Sequence, residues 1–158
     1  MIKTMPENKI TVLYVDDEEN NLISFKANFR IKYNVLIALS GDEAIKIIEN
    51  KHVDIIITDQ RMPNMTGVEF LEKVLEKNPE PMRILLTGYA DMGAVVDAVN
   101  KGKIFHYLSK PWNEEELDMT IKRAYEVYEE RLKIKEMNEK LAVSNDQFEF
   151  LLRQQMLS

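Results

Sequence analysis

The sequence predicts a doubly wound α/β domain with a five-stranded parallel sheet, over about residues 8–125, followed by a long extended C-terminal helix. Five short apolar runs alternate with five helical patterns, and a helix supplies the roughly dozen residues that a parallel crossover needs. The runs are apolar throughout rather than at alternate positions, which is typical of strands covered by helices on both faces. We therefore divide the chain into a domain at residues 1–125 and a helical extension at residues 126–158.

Each predicted element has a local justification. The strands, rich in aliphatic side chains, cover residues 10–15, 35–39, 54–58, 82–86 and 104–108. Three of the helices begin with a capping-box pattern, in which a short polar residue precedes Glu by three positions: Ser40 with Glu43, Thr66 with Glu69, and Asn113 with Glu116.

The composition excludes several classes of protein. The 158 residues are 45% hydrophobic and 30% charged, which suits a soluble domain with its own core, and the net charge of −6 argues against a nucleic-acid-binding face. There is no cysteine, and the two histidines, His52 and His106, do not have a metal-ligand spacing. No apolar run is long enough to span a membrane and the N-terminus lacks a signal-peptide pattern, so we expect a cytoplasmic protein.

Polar side chains follow four of the five predicted strands. The first strand ends in Asp16 and Asp17, the third in Asp59 and the fourth in Thr87, and the fifth leads to Lys110. Because ligands bind at the carboxyl edge of an open parallel sheet, we expect these side chains to converge there. A role in capping a loop would explain one aspartate, but not the whole set.

The convergence predicts a particular chemistry. Three neighbouring carboxylates repel one another unless a cation lies among them, and ligands that are all oxygen favour Mg²⁺. Mg²⁺ commonly binds a phosphate oxygen as well, while Lys110 and the Thr87 hydroxyl offer contacts to the other oxygens. With Asp59 as a carboxylate nucleophile, these groups suit phosphoryl transfer to an aspartate.

Four segments, YVDDEEN, ITDQRMPNMTG, LLTGYAD and YLSKPW, resemble in order and spacing the response-regulator receiver domain of bacterial two-component signalling. The resemblance covers about residues 9–125 and implies a flavodoxin-like fold. It implies that Asp59 accepts the phosphoryl group. It also implies that Mg²⁺ is held by Asp16, Asp17, Asp59 and the backbone carbonyl of Arg61, with Asp17 as a direct ligand.

The same resemblance implies a conformational switch. Lys110 would bind the phosphoryl group and precede a cis peptide bond to Pro111. Thr87 would be the switch hydroxyl and Tyr107 the switch aromatic. The signal would pass through the face formed by helix four, strand five and helix five to the C-terminal helix.

Three positions around the expected site bear on the lifetime of the phosphoryl group. Gly88 stands where the family more often has alanine. Arg61 and Tyr89, two positions after Asp59 and Thr87, flank the site in this family and tend to set how fast the phosphoryl group is lost. Their bulk predicts a long-lived acyl phosphate, because it would shield the site from water.

The helical pattern continues well past the expected end of the domain. Val127, Ile134, Leu141 and Phe148 recur every seven residues, which predicts one seam position of a coiled coil. The other seam position is mixed, with Glu130, Met137, Ser144 and Leu151. We expect a parallel coiled-coil dimer that links the domain to an effector domain absent from this sequence; the alternative is a long solvated helix.

The expected phosphoryl donor is a sensor histidine kinase or a phosphotransfer protein. We expect a homodimer through helix five and the coiled coil, with no direct contact to nucleic acid or membrane. The chain would catalyse only its own phosphorylation and dephosphorylation, so we do not expect an enzyme with a free substrate.

Two alternative functions are open. One is a pseudo-receiver that serves as a dimerisation module. The other is an aspartyl-phosphate phosphatase of the haloacid-dehalogenase type. It is disfavoured because that type needs two aspartates separated by one intervening residue, whereas Asp16 and Asp17 are adjacent.

Overall fold

The computed structural model describes residues 9–157, apart from the side chain of Tyr89, and contains the predicted parallel sheet. Its strands are β1 (Thr11–Val15), β2 (Asn34–Ala38), β3 (Ile55–Asp59), β4 (Met82–Thr87) and β5 (His106–Ser109). Neighbouring strands pair in parallel in the order β2-β1-β3-β4-β5. β2 lies on one side of β1, and β3, β4 and β5 follow in order on the other side. This reversal of direction at β1 confirms the doubly wound fold.

Five helices connect or follow these strands. They are α1 (Glu19–Phe29), α2 (Gly41–Asn50), α3 (Gly67–Lys77), α4 (Met92–Asn100) and α5 (Glu114–Leu157), and a 3-10 turn (Tyr89–Asp91) precedes α4. The long C-terminal helix is therefore confirmed, with 44 residues in α5. None of the helices within residues 9–157 has the length and apolar character needed to cross a membrane.

The three predicted capping patterns are all present as hydrogen bonds. The side chains of Ser40 and Thr66 accept from the backbone N–H groups of Glu43 and Glu69, at 3.1 and 3.2 Å. Asn113 accepts from the N–H groups of both Glu115 and Glu116. These bonds satisfy N–H groups that have no partner within their helices, and so fix where α2, α3 and α5 begin.

The strand ends differ from the predicted ones by at most two residues, and the largest difference is at β5. Ile104 was predicted to begin that strand, but pairing with β4 begins at His106, opposite Ile84. Ile104 is apolar because it is buried in the core, with 3% of its surface exposed.

The two faces of the sheet pack against different helices. Leu13 and Val15 of β1 lie in one buried cluster with residues of α2, α3 and α4. Tyr14, which points to the opposite face because side chains alternate along a strand, stacks on Phe25 of α1. All five residues of β3 are buried, which explains why this strand is apolar up to Thr58 and Asp59.

The chain divides into two compact units, Met1–Tyr125 and Glu126–Ser158. Within the described part of the second unit, the residues predicted to form the coiled-coil seam are largely exposed. Ile134, Met137, Leu141, Phe148 and Leu151 each have 56–63% of their surface exposed.

Candidate functional site

Three aspartates meet at the carboxyl edge of the sheet, as predicted. Asp59 is the last residue of β3, and Asp16 comes directly after β1, the strand that pairs with β3. Asp16, Asp17 and Asp59 each offer a carboxylate oxygen, and these oxygens lie within 4.8 Å of one another. Asp16 and Asp59 are buried, whereas Asp17 is exposed.

This donor set fits Mg²⁺. All three ligands are carboxylates, and their spacing allows one cation to contact them together. One of the three is open to solvent, which leaves room for the water ligands that Mg²⁺ usually keeps. A divalent cation would also offset the repulsion of three grouped negative charges.

Lys110 reaches Asp59 from the far side of β4. Its ammonium nitrogen lies 2.7 Å from Asp59 Oδ1. The backbone N–H of Lys110 donates to the carbonyl of Thr87 at 2.9 Å, which places the residue immediately after β5. The peptide bond from Lys110 to Pro111 is cis, as the family resemblance implied.

The surroundings of Asp59 raise its pKa above the ordinary value of 3.8. Burial is the main cause, and the nearby charge of Asp16 adds to it. The hydrogen bond and positive charge of Lys110 act in the opposite direction and offset part of the effect. Ionised Asp59 is thus costly to bury, and additional positive charge nearby would stabilise it.

Thr87 and Tyr107 lie on the neighbouring strands β4 and β5. Thr87 is fully buried, and its hydroxyl donates to the carbonyl of Gly88 at 3.1 Å. Tyr107 is partly buried and packs against the core, in register with Leu85.

A cavity of about 300 Å³ opens beside Asp59 and Lys110, and Gln60, Arg61, Gly88, Ala90 and Asp91 complete its lining. Arg61 forms an ion pair with Asp91 across this lining, with Nε 3.0 Å from Oδ2. Sequence reasoning missed this pairing. The predicted partner of Arg61 in shielding the site, the side chain of Tyr89, lies outside the described part of the chain.

Sequence reasoning also missed Tyr14. Its hydroxyl donates to Asp16 Oδ2 at 2.9 Å. The signal was available, because residues two apart on a strand point to the same face and Tyr14 precedes Asp16 by two. Burial, reinforced by the charge and hydrogen bond of Asp16, raises the pKa of Tyr14, so its hydroxyl remains a donor at neutral pH.

The fold and the acidic edge place the chain among doubly wound α/β domains whose ligand site lies at the carboxyl ends of a parallel sheet. Residues 12–122 match the family model described as the response regulator receiver domain, and the chain belongs to this family of two-component systems.

Curated relatives are larger than this chain. It is 38% identical over 122 residues to the hydrogenase transcriptional regulatory protein HoxA of Cupriavidus necator, covering 77% of this chain and 25% of the relative. It is 28% identical over 134 residues to the regulatory protein AtoC of Escherichia coli, covering 84% of this chain and 29% of the relative. The chain thus spans about a quarter of the length of the curated relatives that it matches.

Solved structures show the same architecture. A structure described as adenylate cyclase from Rhodopirellula baltica superposes with a TM-score of 0.81 at 29% identity, covering 84% of this chain and 98% of that chain. The signal receiver domain of an HD domain-containing protein from Pseudomonas fluorescens Pf-5 gives 0.73 at 30% identity, covering 77% and 98%. The same fold thus occurs in solved structures with different descriptions.

Proposed function

We propose that the chain accepts a phosphoryl group on Asp59 from a phosphohistidine of a sensor histidine kinase or a phosphotransfer protein. One observation carries the proposal. Asp59 is at once in contact with Lys110, at 2.7 Å, and grouped with the carboxylates of Asp16 and Asp17. A residue that only capped a loop would need neither of these neighbours.

The residues that would hold Mg²⁺ are Asp16, Asp17, Asp59 and the backbone carbonyl of Arg61. When bound, the ion supplies positive charge that neutralises the carboxylates and the phosphoryl oxygens. The acyl phosphate would then form in a site where burial otherwise disfavours negative charge.

In the transfer, a carboxylate oxygen of Asp59 attacks phosphorus while the bond from phosphorus to the donor imidazole nitrogen breaks. The electron pair of that bond returns to the imidazole, and Asp59 becomes an acyl phosphate. Lys110 already lies at Asp59 and would pair with a phosphoryl oxygen. The chain positions and neutralises the group and turns over no free substrate.

The switch would follow from the new oxygens on Asp59. Phosphorylation increases the negative charge at this residue and adds strong acceptors. The Thr87 hydroxyl, bonded to the carbonyl of Gly88 in this structure, would turn to a phosphoryl oxygen. Tyr107 would respond by changing its burial, and the change would be read on the face formed by α4, β5 and α5.

Intact mass spectrometry after incubation with acetyl phosphate and Mg²⁺ tests the proposal. We expect one phosphoryl group on the wild type and none on Asp59→Asn. Asp54→Asn is the matched control, because Asp54 is also buried but lies at the opposite end of β3. A folded wild type that takes no phosphoryl group would contradict the proposal and favour a pseudo-receiver.

We further propose that the extension at residues 126–158 forms a parallel coiled-coil homodimer and links the receiver domain at residues 1–125 to an effector. The apolar residues at seven-residue spacing support this proposal, because most of them are exposed in the described part of the second unit. The net charge of −6 supports a chain that contacts no nucleic acid itself. Its phosphoryl donor would place it in the cytoplasm.

Light scattering on two variants tests the coiled coil. Leu141→Lys places a charge in the predicted seam and should give monomers. Val143→Lys lies outside the seam at a residue with similar exposure, 58% against 56%, and should leave the dimer intact. Equal molecular masses for the two variants would contradict the predicted seam.

A further inference from the structure

Asp16 is held by three hydrogen-bond donors. The Tyr14 hydroxyl and the Asn21 side-chain amide donate to Oδ2, at 2.9 and 3.1 Å. The backbone N–H of Glu18 donates to Oδ1 at 3.0 Å. A carboxylate has about four lone-pair positions, two on each oxygen. The donors thus occupy both positions of Oδ2 and leave Oδ1 with one for a cation.

The Tyr14 hydroxyl is held rigidly by its ring. The ring is buried and stacks on Phe25, with centroids 4.3 Å apart and planes 15° from parallel. Phe25 in turn contacts Phe29 and Trp112. Because the ring is buried and stacked, its hydroxyl has a defined position from which it orients the Asp16 carboxylate.

We propose that Tyr14 is a positioning residue of the Mg²⁺ site: its hydroxyl holds Asp16 so that one defined oxygen position faces the cation. The inference rests on the proposed function, and it adds a residue that touches neither the metal nor the phosphoryl group. Groups that orient metal ligands commonly change metal affinity by about 10- to 100-fold when they are removed.

Tyr14→Phe removes the hydroxyl and keeps the ring that stacks on Phe25. Calorimetric titration of the full chain with MgCl₂ should show a Kd raised by about tenfold or more. In phosphorylation by acetyl phosphate, the half-saturating Mg²⁺ concentration should rise by the same factor. The rate at saturating Mg²⁺ should stay close to that of the wild type, because the Tyr14 hydroxyl bonds to Asp16, a proposed metal ligand, and not to the proposed phosphoryl acceptor.

Tyr33→Phe is the matched control. Tyr33 is also buried, and its hydroxyl also bonds to a buried carboxylate, that of Asp118. Asp118 belongs to α5 and not to the acidic cluster of Asp16, Asp17 and Asp59. Tyr33→Phe should therefore lower the Tm without changing the Mg²⁺ affinity.

The outcomes separate this inference from the proposed function. A wild type that binds no Mg²⁺ and takes no phosphoryl group overturns both. If the wild type binds Mg²⁺ and is phosphorylated, and a folded Tyr14→Phe has the same Mg²⁺ affinity, only the role of Tyr14 is overturned. Circular dichroism checks folding, and Tyr14→Leu, which also lacks the hydroxyl and suits an apolar strand, applies the same test if the phenylalanine variant fails to fold.

Discussion

The ammonium nitrogen of Lys110 lies 2.7 Å from Asp59 Oδ1, although their strands β5 and β3 are separated by β4. Replacing Lys110 with Met keeps a chain of similar length and removes its charge. We expect phosphorylation by acetyl phosphate at saturating Mg²⁺ to slow by about 10²-fold, because a fixed positive charge at the reacting oxygens is lost. The initial rate of phosphoryl incorporation measures this change.

Lys103→Met is the control for this prediction. Lys103 also forms an ion pair, with Glu72 at 3.0 Å, and its side chain is about as exposed as that of Lys110, 33% against 34%. Its rate should equal that of the wild type. Equal rates for Lys110→Met and Lys103→Met would show that the contact of Lys110 with Asp59 is only structural.

Asp59→Asn should stabilise the fold in buffer without Mg²⁺. The pKa of Asp59 is raised in the folded protein, mainly by burial. The contribution of Asp59 to the stability of the fold is therefore fully present below its ordinary pKa of 3.8, and it is lost as the pH rises through the folded pKa. A neutral amide avoids this loss, and the side chain of Lys110, 34% exposed, can be hydrated instead.

Thermal unfolding at several pH values measures this difference. The Tm of Asp59→Asn should exceed that of the wild type at pH 7, and the difference should vanish below pH 3.8, where Asp59 is protonated in both the folded and the unfolded state. Mg²⁺ should raise the Tm of the wild type more than that of the variant. A lower Tm for Asp59→Asn at pH 7 would contradict the argument.

Asp118→Asn should have the opposite effect. Burial acts to raise the pKa of Asp118, but the hydrogen bonds from Tyr33 and Lys122 and the charge of Lys32 outweigh it, and the pKa is lowered. Ionised Asp118 therefore stabilises the fold above its ordinary pKa of 3.8, and this stability is lost as the pH falls through the folded pKa.

We expect Asp118→Asn to lower the free energy of unfolding at pH 7 by about 1–3 kcal/mol, measured by urea denaturation. Asp97→Asn is its control, since Asp97 also pairs with a lysine four residues on but is exposed. That variant should change stability by less than about 0.5 kcal/mol. Similar losses in the two variants would mean that burial of Asp118 is unimportant.

The sequence was informative wherever the fold itself determines position. Parallel strands carry whatever follows them to one edge, so Asp16, Asp59 and Lys110 could be placed together from their order alone. The capping patterns at Ser40 and Thr66 were equally reliable, because these hydrogen bonds span only three residues.

The sequence was uninformative where packing brings distant side chains together. The bond between Tyr33 and Asp118 joins residues 85 positions apart, and that between Arg61 and Asp91 joins residues 30 apart. Neither depends on a local pattern, since each follows from how helices and loops pack on the sheet.

Thr87→Val should uncouple phosphorylation from the proposed conformational switch. Valine keeps the branched shape of a fully buried residue and removes the hydroxyl that donates to the Gly88 carbonyl. We expect the variant to be phosphorylated while the resonances of the Tyr107 ring change less than in the wild type, as measured by NMR. Thr87→Ser keeps the hydroxyl and should behave as the wild type. A full response of Tyr107 in Thr87→Val would rule out the hydroxyl as the coupling group.

Gly67 permits the close approach of α3 to the end of β3. A Cβ at this position would lie 2.4 Å from the backbone oxygen of Asp59 and 2.7 Å from Leu85 Cδ1. Real side chains do not approach backbone this closely, so Gly67→Ala must displace either the helix or Asp59. We expect a loss of about 1–3 kcal/mol in the free energy of unfolding, the usual cost of overpacking, together with weaker Mg²⁺ binding. Gly88→Ala is the matched control, because a Cβ there meets nothing within 4 Å and should change neither quantity. If Gly67→Ala were as stable as Gly88→Ala, the close approach of α3 to the backbone of Asp59 would not constrain this position as argued.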